Sequence, residues 1–479
     1  MIGPIDKNIN ELSAICPELY DKVWNKLYSP ETGYQHIYAK KTTKTTKNDP
    51  CMYTDIQPSA RQLGTTKDII KHWHKVYKKN GWNRYATYDT TGNFSVPYAL
   101  LKAKNITAQS ERSTKWYKGR PIAPQIKHPM RRLFEKTGRA WSFIASQTKE
   151  IGFTLHSSKE VPEFLHDSQI ELQRHGNIRM VVKDIEGCFP NMPKEAIKIA
   201  CRETLQWAAR QGRTHVVVPN SKLHRCSWDS KKKYGICTFP LHMLYEVMEF
   251  ALDNAITKDR HGNLRKQIHG IPMGDPHSPG MTIVTCAWME KMWMETLSED
   301  TKQFFRAKRY MDDIIFLYAT NPRFDVERLM EDFQRSDCYW APLKLEDGKE
   351  DVFLETQIQI QGCTIRHKLK NENADGPKIW RYAHVKSATQ FKYKYATLIA
   401  SLQRVQAMAS DDSMLVVSAI DKLKEFILQG YSFNTISRAC VHNWRWFLGN
   451  KHGSWLKGTF YNEQWHRLKG ESGKLHNPA

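Results

Sequence analysis

Apolar residues along this chain recur at two spacings, one suited to strands and one to helices. Between Asn177 and Lys183 the run Ile-Arg-Met-Val-Val is rich in β-branched residues and leads straight into Asp184, which predicts a strand with a carboxylate at its end. A helix is predicted next. Ile197, Ala200, Leu205 and Ala208 recur at roughly helical spacing, Pro193 suits a first turn and Gly212 offers a stop. His215 to Val218 and the lysines Lys231 to Lys233 then predict an exposed β-excursion, followed by an apolar helix around Leu244 to Leu252. From Arg309 to Leu317 the sequence Arg-Tyr-Met-Asp-Asp-Ile-Ile-Phe-Leu predicts a hairpin with apolar strands and the aspartate pair at the bend. Beyond residue 385 the spacing is helical: Leu398, Leu402 and Val405 mark one helix, while Ile420, Leu423 and Ile427 mark another, begun by Asp412 or Ser413 and ended by Gly430.

Polar stretches add organisation. Lys40 to Pro50 is basic and nearly repetitive, the composition of a solvated linker. Lys67 to Arg84 interleaves Trp and Tyr with Lys and His, which fits either a basic helix along a phosphate backbone or a solvated amphipathic helix.

Lys and Arg outnumber Asp and Glu by 72 to 50, a formal net charge of +22 that suits a partner carrying many phosphates. Histones, ribosomal proteins and membrane-surface proteins share that balance, so charge alone selects no chemistry. The ten cysteines show neither zinc-ligand spacing nor a dense disulfide framework. The opening residues carry Asp6 and Glu11 and lack both an apolar signal core and an Arg-rich transit pattern. No stretch approaches about 18 uninterrupted apolar residues. The expectation is an intracellular protein with no membrane partner, the nucleus ahead of mitochondrion or cytoplasm.

The candidate chemistry lies in the carboxylates. Phosphoryl transfer between nucleotides uses two divalent ions held by hard oxygen ligands. Magnesium keeps several waters and takes one or two carboxylates plus substrate phosphates, so three aspartates from neighbouring strands suffice. Asp184, Asp312 and Asp313 meet that need if their strands pair. Taken singly, Asp312–Asp313 is an ordinary acidic turn and Asp184 a strand-ending cap.

Their companions change the odds. Asp184-Ile185-Glu186-Gly187-Cys188-Phe189 resembles the first catalytic palm motif of reverse transcriptases, and Tyr310-Met311-Asp312-Asp313 is the sequence found in retroviral ones. Gly270-Ile271-Pro272-Met273-Gly274-Asp275-Pro276-His277-Ser278-Pro279 resembles the loop and helix start that position the template base and incoming nucleotide. Upstream, Ser113 to Pro121, with Lys115, Lys118 and Arg120, resembles the fingers hairpin that holds the triphosphate. Downstream, Leu343-Lys344-Leu345-Glu346 resembles the palm segment with a lysine general acid, and Phe353-Leu354-Glu355, with Gly362 near its end, the primer-gripping hairpin. Met273 departs from the glutamine of retroviral and group II intron enzymes. The motif Gly-Ile-Pro-Met-Gly with Ser278-Pro279 is closer to Penelope-like retroelement enzymes, which are related to telomerase reverse transcriptase. The stretch from Lys392 through Arg404, Asp411-Asp412 and Gly430-Tyr431 resembles their helical thumb.

The resemblance implies an α+β right hand with an antiparallel palm sheet, interleaved fingers and a helical thumb. Residues 1–80 would be an N-terminal extension, 81–180 fingers, 181–214 and 263–385 the two parts of the palm, 215–262 an insertion between them, and 386–479 the thumb with a basic aromatic end. It also implies that Asp184 and Asp312 bridge two Mg2+ ions, with Mn2+ as a substitute. Asp313 would assist, the Ile185 carbonyl would complete one shell, and Lys344 would protonate pyrophosphate. Arg120 with Lys115 or Lys118 would neutralise the triphosphate, and Met273, Gly274 and Tyr310 would lie at the substrate. Phe189 would crowd a ribose 2′-hydroxyl and so select dNTPs, although core packing also explains a phenylalanine there. The implied partners are an RNA template, a DNA or RNA primer and dNTPs. The implied activity is RNA-templated DNA synthesis, with an RNA-dependent RNA polymerase or a catalytically silent, maturase-like RNA-binding protein as the alternatives. The run from His442 to Arg467, with Trp444, Trp446, Trp455 and Trp465, fits core packing with a basic rim better than base stacking.

Overall fold

Three distant stretches of sequence meet in one antiparallel sheet, in the strand order Phe305–Tyr310, Asp313–Thr320, Asn177–Ile185 and Leu345–Asp347. In this computed structural model the described residues are 2–6, 8–14, 17–37, 65–102, 119–149, 151–228, 236–259, 261–335, 338–371, 382–446, 458 and 462–476. Ile314 to Leu317 are all buried because both faces of the sheet are covered. Alternate side chains therefore enter different cores. Ile185, Ile314 and Phe316 join Met281, Val284 and Trp293 of the helix Ser278–Thr296. Ile178, Val182, Ile315 and Leu317 meet Phe164 and Leu165 of the helix Val161–Leu172, together with Phe353, Ile358 and Ile365.

The expected elements surround this sheet. Pro193 caps the helix Lys194–Arg210, and the apolar helix runs Leu241–Asp253. Between them the β-excursion is a small sheet, with His215–Pro219 flanked by Ser227–Trp228 and Ile236–Pro240, but it is not exposed as expected: Val216, Val217 and Val218 are buried, and Val216 and Val218 join the main core. Lys231 to Lys233 lie outside the described residues, as does the Lys40 to Pro50 stretch. The helix Thr66–Lys79 buries Ile69, Ile70, Trp73 and Tyr77 and turns its lysines outward. Tyr98–Lys102 pairs with Gly119–Ile122, and Ile2–Asp6 adds to its other edge. Tyr34–Ile37 pairs with Leu264–Gln267, so the N-terminal residues are woven into the rest of the fold.

After residue 385 come the helices Phe391–Ala407, Asp412–Leu428, Phe433–Trp446 and Glu463–His476. Asp411, one residue earlier than expected, caps the second by accepting the Met414 amide at 3.1 Å. Trp465 is buried against Phe433, the core role expected of it. The side chains of Trp444, Trp446 and Trp455 lie outside the described set. Among the described residues no helix is long and apolar enough to cross a membrane. The architecture is α+β, as the sequence predicts.

The helix Arg131–Ser146 lies against the start of the helix Ser278–Thr296, and Gly138 makes this possible: a Cβ there would stand 2.5 Å from the Pro276 carbonyl oxygen. Nearby, His128 is buried between the rings of Trp73 and Phe134, and its Nδ1 accepts the Met130 amide at 3.1 Å. Burial pushes this imidazole down to about 4, against an opposing pull from Asp275. Its folded value lies below its unfolded one, so the unfolded chain takes up the extra proton between the two. Stability from His128 is thus complete above the ordinary histidine value and lost on acidification. Urea titrations should show about 2 kcal/mol less stability at about pH 5 from this residue. His128→Asn, which keeps an acceptor for Met130, should lessen the pH dependence, and an unchanged dependence would assign it to other groups.

Candidate active site

Strand register decides where the acidic side chains of the central sheet lie. Asp313 is directly opposite Asp184, and on the far side of Asp184 stands Glu346. Tyr310 pairs with Asp313 across the hairpin. Directly opposed residues share a face, so Tyr310, Asp313, Asp184 and Glu346 form a row across four strands. Like charges set opposite one another destabilise a sheet. A cation at this row would relieve that repulsion.

The bend differs by one residue from the expectation. Tyr310 ends one strand and Asp313 begins the next, which leaves Met311 and Asp312 as the turn. Met311 has φ +57°, a left-handed conformation that non-glycine residues seldom adopt but tight hairpins require. The Ile185 amide donates to the Asp312 carbonyl at 2.9 Å, and the Glu186 amide to the Lys344 carbonyl at 2.9 Å. These bonds join the turn and the Lys344 segment to the end of the Asp184 strand.

A buried network beneath the turn, absent from the sequence-based expectations, holds the methionine in place. The Arg309 guanidinium donates to the Met311 carbonyl at 2.9 Å and to Thr154 Oγ1 at 3.2 Å, and it forms an ion pair with Glu290. Both charged side chains are completely buried. Glu290 also accepts from the Tyr339 hydroxyl and from the Phe153 amide, each at 2.7 Å. Burial alone would draw the arginine's pKa down, but Glu290 more than offsets this and holds it well above its ordinary value. Burial and the same carboxylate push the Tyr339 hydroxyl up. The available sequence signals were an arginine next to Tyr310 and a glutamate inside an apolar helix, and neither names the other as its partner.

Other expected residues gather nearby. Phe189 is half-buried, and its carbonyl accepts the Ile271 amide at 2.7 Å. Gly270, at φ +67°, permits this approach, since a Cβ there would stand 2.2 Å from the Pro190 carbonyl oxygen. The Met273 carbonyl accepts the Ala123 amide at 2.7 Å, which ties the half-buried Met273 and the exposed Gly274 to the end of the Arg120 strand. Arg120 is half-buried opposite Leu100. Asp275, fully buried, accepts from His277 Nδ1 at 2.7 Å, and His277 Nε2 meets Thr137 Oγ1 at 2.7 Å, which anchors the same loop. Hydrogen bonding to Cys286, burial and the neighbouring Asp312 carboxylate push the Cys188 thiol up. Lys344 is exposed. Lys115 and Lys118 lie outside the described residues.

Among the described residues, no three His, Cys, Asp or Glu side chains are drawn together closely enough to hold an ion by themselves. Asp184, Asp312 and Asp313 nonetheless fit magnesium in their chemistry, because that ion fills most of its shell with water and substrate phosphate.

No protein-family model matches the sequence, and no curated protein matches it. In three dimensions the chain is similar to telomerase from Candida albicans in complex with a TWJ fragment of telomeric RNA, at 13% identity, covering 85% of this chain and 67% of that one with a TM-score of 0.51. The fold is that of a right-hand polymerase. Apo telomerase from Candida tropicalis also matches, at 14% identity, 85% and 68% coverage and a TM-score of 0.46. So does the Sicinivirus 3Dpol RNA-dependent RNA polymerase, at 10% identity, 92% and 87% coverage and 0.42. At such identities the likeness concerns the fold. In this right hand the central antiparallel sheet is the palm, and the acidic row lies across it.

Removing one member of a buried ion pair strands its partner's charge, typically at about 3–5 kcal/mol. Glu290→Gln and Arg309→Met should each lower stability by about 3 kcal/mol or more in urea unfolding. The double variant Glu290→Leu/Arg309→Met should lose less than the sum. Single variants within about 0.5 kcal/mol of wild type would remove the network from the account of the turn.

Proposed function

We propose that this chain is an RNA-directed DNA polymerase that extends a DNA or RNA primer by nucleotidyl transfer at Asp184, Asp312 and Asp313. The observation that carries this reading is the pairing of Asp184 with Asp313 on the palm sheet of a right hand, with Asp312 bonded through its carbonyl to Ile185. Bound there, two magnesium or manganese ions would lower the pKa of the primer hydroxyl and neutralise charge on the leaving pyrophosphate.

The chain's own groups do the positioning. Asp184 and Asp312 are the principal ligands, Asp313 supports them from the register-opposed position, and the Ile185 carbonyl is the main-chain donor beside them. Arg120, with Lys115 or Lys118 from the same segment, neutralises the triphosphate. Lys344 follows the aspartates as an exposed ammonium on an adjoining segment, suited to give a proton to pyrophosphate. Tyr310, Met273 and Gly274 face the base pair being formed.

Phe189 favours DNA synthesis over RNA synthesis. Its backbone is fastened to Ile271, and its ring, five residues beyond Asp184 in the chain, would supply the bulk that excludes a 2′-hydroxyl. An RNA template fits the net charge of +22, and the Candida albicans telomerase of similar fold is itself seen with RNA.

Primer extension by the purified chain on RNA and DNA templates, with each nucleotide type, tests the proposal. Extension should depend on magnesium and stop on chelation. Asp312→Asn should lower it by at least about a hundredfold. Phe189→Ala should raise ribonucleotide incorporation relative to deoxynucleotide incorporation. Failure of the wild type to extend under every combination would sink the enzymatic proposal, and unchanged discrimination in Phe189→Ala would reassign the ring to packing.

A further inference from the structure

Away from the acidic row, a cleft of about 490 Å3 opens between the Trp82–Arg84 turn, the helix Arg131–Ser146 and the residues Asn220 to Lys222. Arg84, Arg132, Lys136, Arg139 and Lys222 line it, against a single acid, Glu135. That acid is already engaged by Arg131 at 2.8 Å. Asp89, near Arg132, accepts from the Thr91 amide and hydroxyl at 2.9 and 2.7 Å.

The cations divide into two kinds. Lys136 donates to the Tyr85 carbonyl at 2.9 Å, and Arg139 donates to the carbonyls of Pro219, Ser221 and His224. These two fix the walls. Arg84, Arg132 and Lys222 are exposed at the opening, with Arg132 also donating one bond to Thr87 Oγ1 at 2.8 Å. On the helix Thr66–Lys79, Lys67, Lys71, Lys75 and Lys79 are exposed at intervals of four, which places them along one stripe. That helix ends just before the Arg84 turn, so the stripe leads toward the cleft.

Gly138, on a neighbouring face of the helix that carries Arg132 and Arg139, touches Pro276 of the Gly270–Pro279 loop. The cleft therefore lies about one helix diameter, roughly 10 Å, from the loop assigned to the template base. The one lining aromatic ring, Tyr85, is half-buried and stacked on Phe239, which leaves phosphate recognition rather than base stacking as the cleft's chemistry.

We propose that this cleft, with the lysine stripe leading to it, grips the phosphate backbone of the unpaired template ahead of the active site. The inference rests on the polymerase reading. It predicts contacts indifferent to sequence and sensitive to salt.

The test uses the full chain carrying Arg84→Glu, Arg132→Glu and Lys222→Glu together. Fluorescence anisotropy would measure its binding to labelled primer–template duplexes with a long, a short or no single-stranded template overhang. The variant should bind the long-overhang duplex at least about tenfold more weakly, with a salt slope smaller by about 2, while binding to the duplex without an overhang stays near wild type. Arg84→Lys/Arg132→Lys, which keeps the charges, should bind as wild type does. Unchanged affinity and slope on the long overhang would overturn the proposal, as would an equal loss on all three duplexes. A loss seen only with a separate single strand added in trans would overturn the template assignment. Binding is read without catalysis, so a chain that fails to extend primers sinks the polymerase reading while the overhang dependence is still measured.

Discussion

Two opposite charges, Arg309 and Glu290, sit wholly out of water beneath the Met311–Asp312 turn. An isolated charge there would be prohibitively costly, and the pair persists because nearly every polar direction is used. Tyr339, the Phe153 amide and Thr154 join them, and Arg309 extends one bond to the Met311 carbonyl. Four separate segments are thereby fastened at one point: a palm strand, the helix behind the sheet, the residues before the helix Val161–Leu172, and Tyr339. The turn that carries Asp312 is anchored at this point, since the bond to the Met311 carbonyl supports the φ of +57° that the two-residue hairpin asks of a methionine.

With the turn fixed, the sheet supplies the rest. Asp184, Asp313 and Glu346 are aligned by register and lie near the strand ends, just beyond the part of the sheet that both cores cover. Acids set opposite one another repel, and a cation bound among them would relieve that repulsion. The same palm is flanked by a loop that Gly270 presses onto the Phe189–Pro190 backbone.

Local features were legible in the sequence. The β-branched run before Asp184, the apolar strands around Asp312–Asp313 and the spacing of Leu398, Leu402 and Val405 each report their own secondary structure, because periodicity is a local property. Other features depend on which segments meet in space. The place of Glu346 in the acidic row follows from a register between strands some 160 residues apart in the chain. The shift of the turn from the aspartate pair to Met311–Asp312 follows from the pairing of Tyr310 with Asp313. The union of Arg309 with Glu290 joins a strand to a helix whose apolar pattern gives no hint of a buried acid's partner. The basic helix ending near Arg84 was visible as composition, but the cleft it leads to needed the loop held by Arg139.

The central claim, that Asp184, Asp312 and Asp313 form a divalent-metal site held in shape by the palm, is most directly tested by electron paramagnetic resonance of Mn2+. The measurement would use the full chain with a primer–template whose primer lacks a 3′-hydroxyl, together with the next dNTP. About two bound ions per chain are expected in that complex, and Asp184→Asn should lose at least one of them. No bound manganese in the complete complex, or full binding by the Asp184→Asn variant, would contradict the claim.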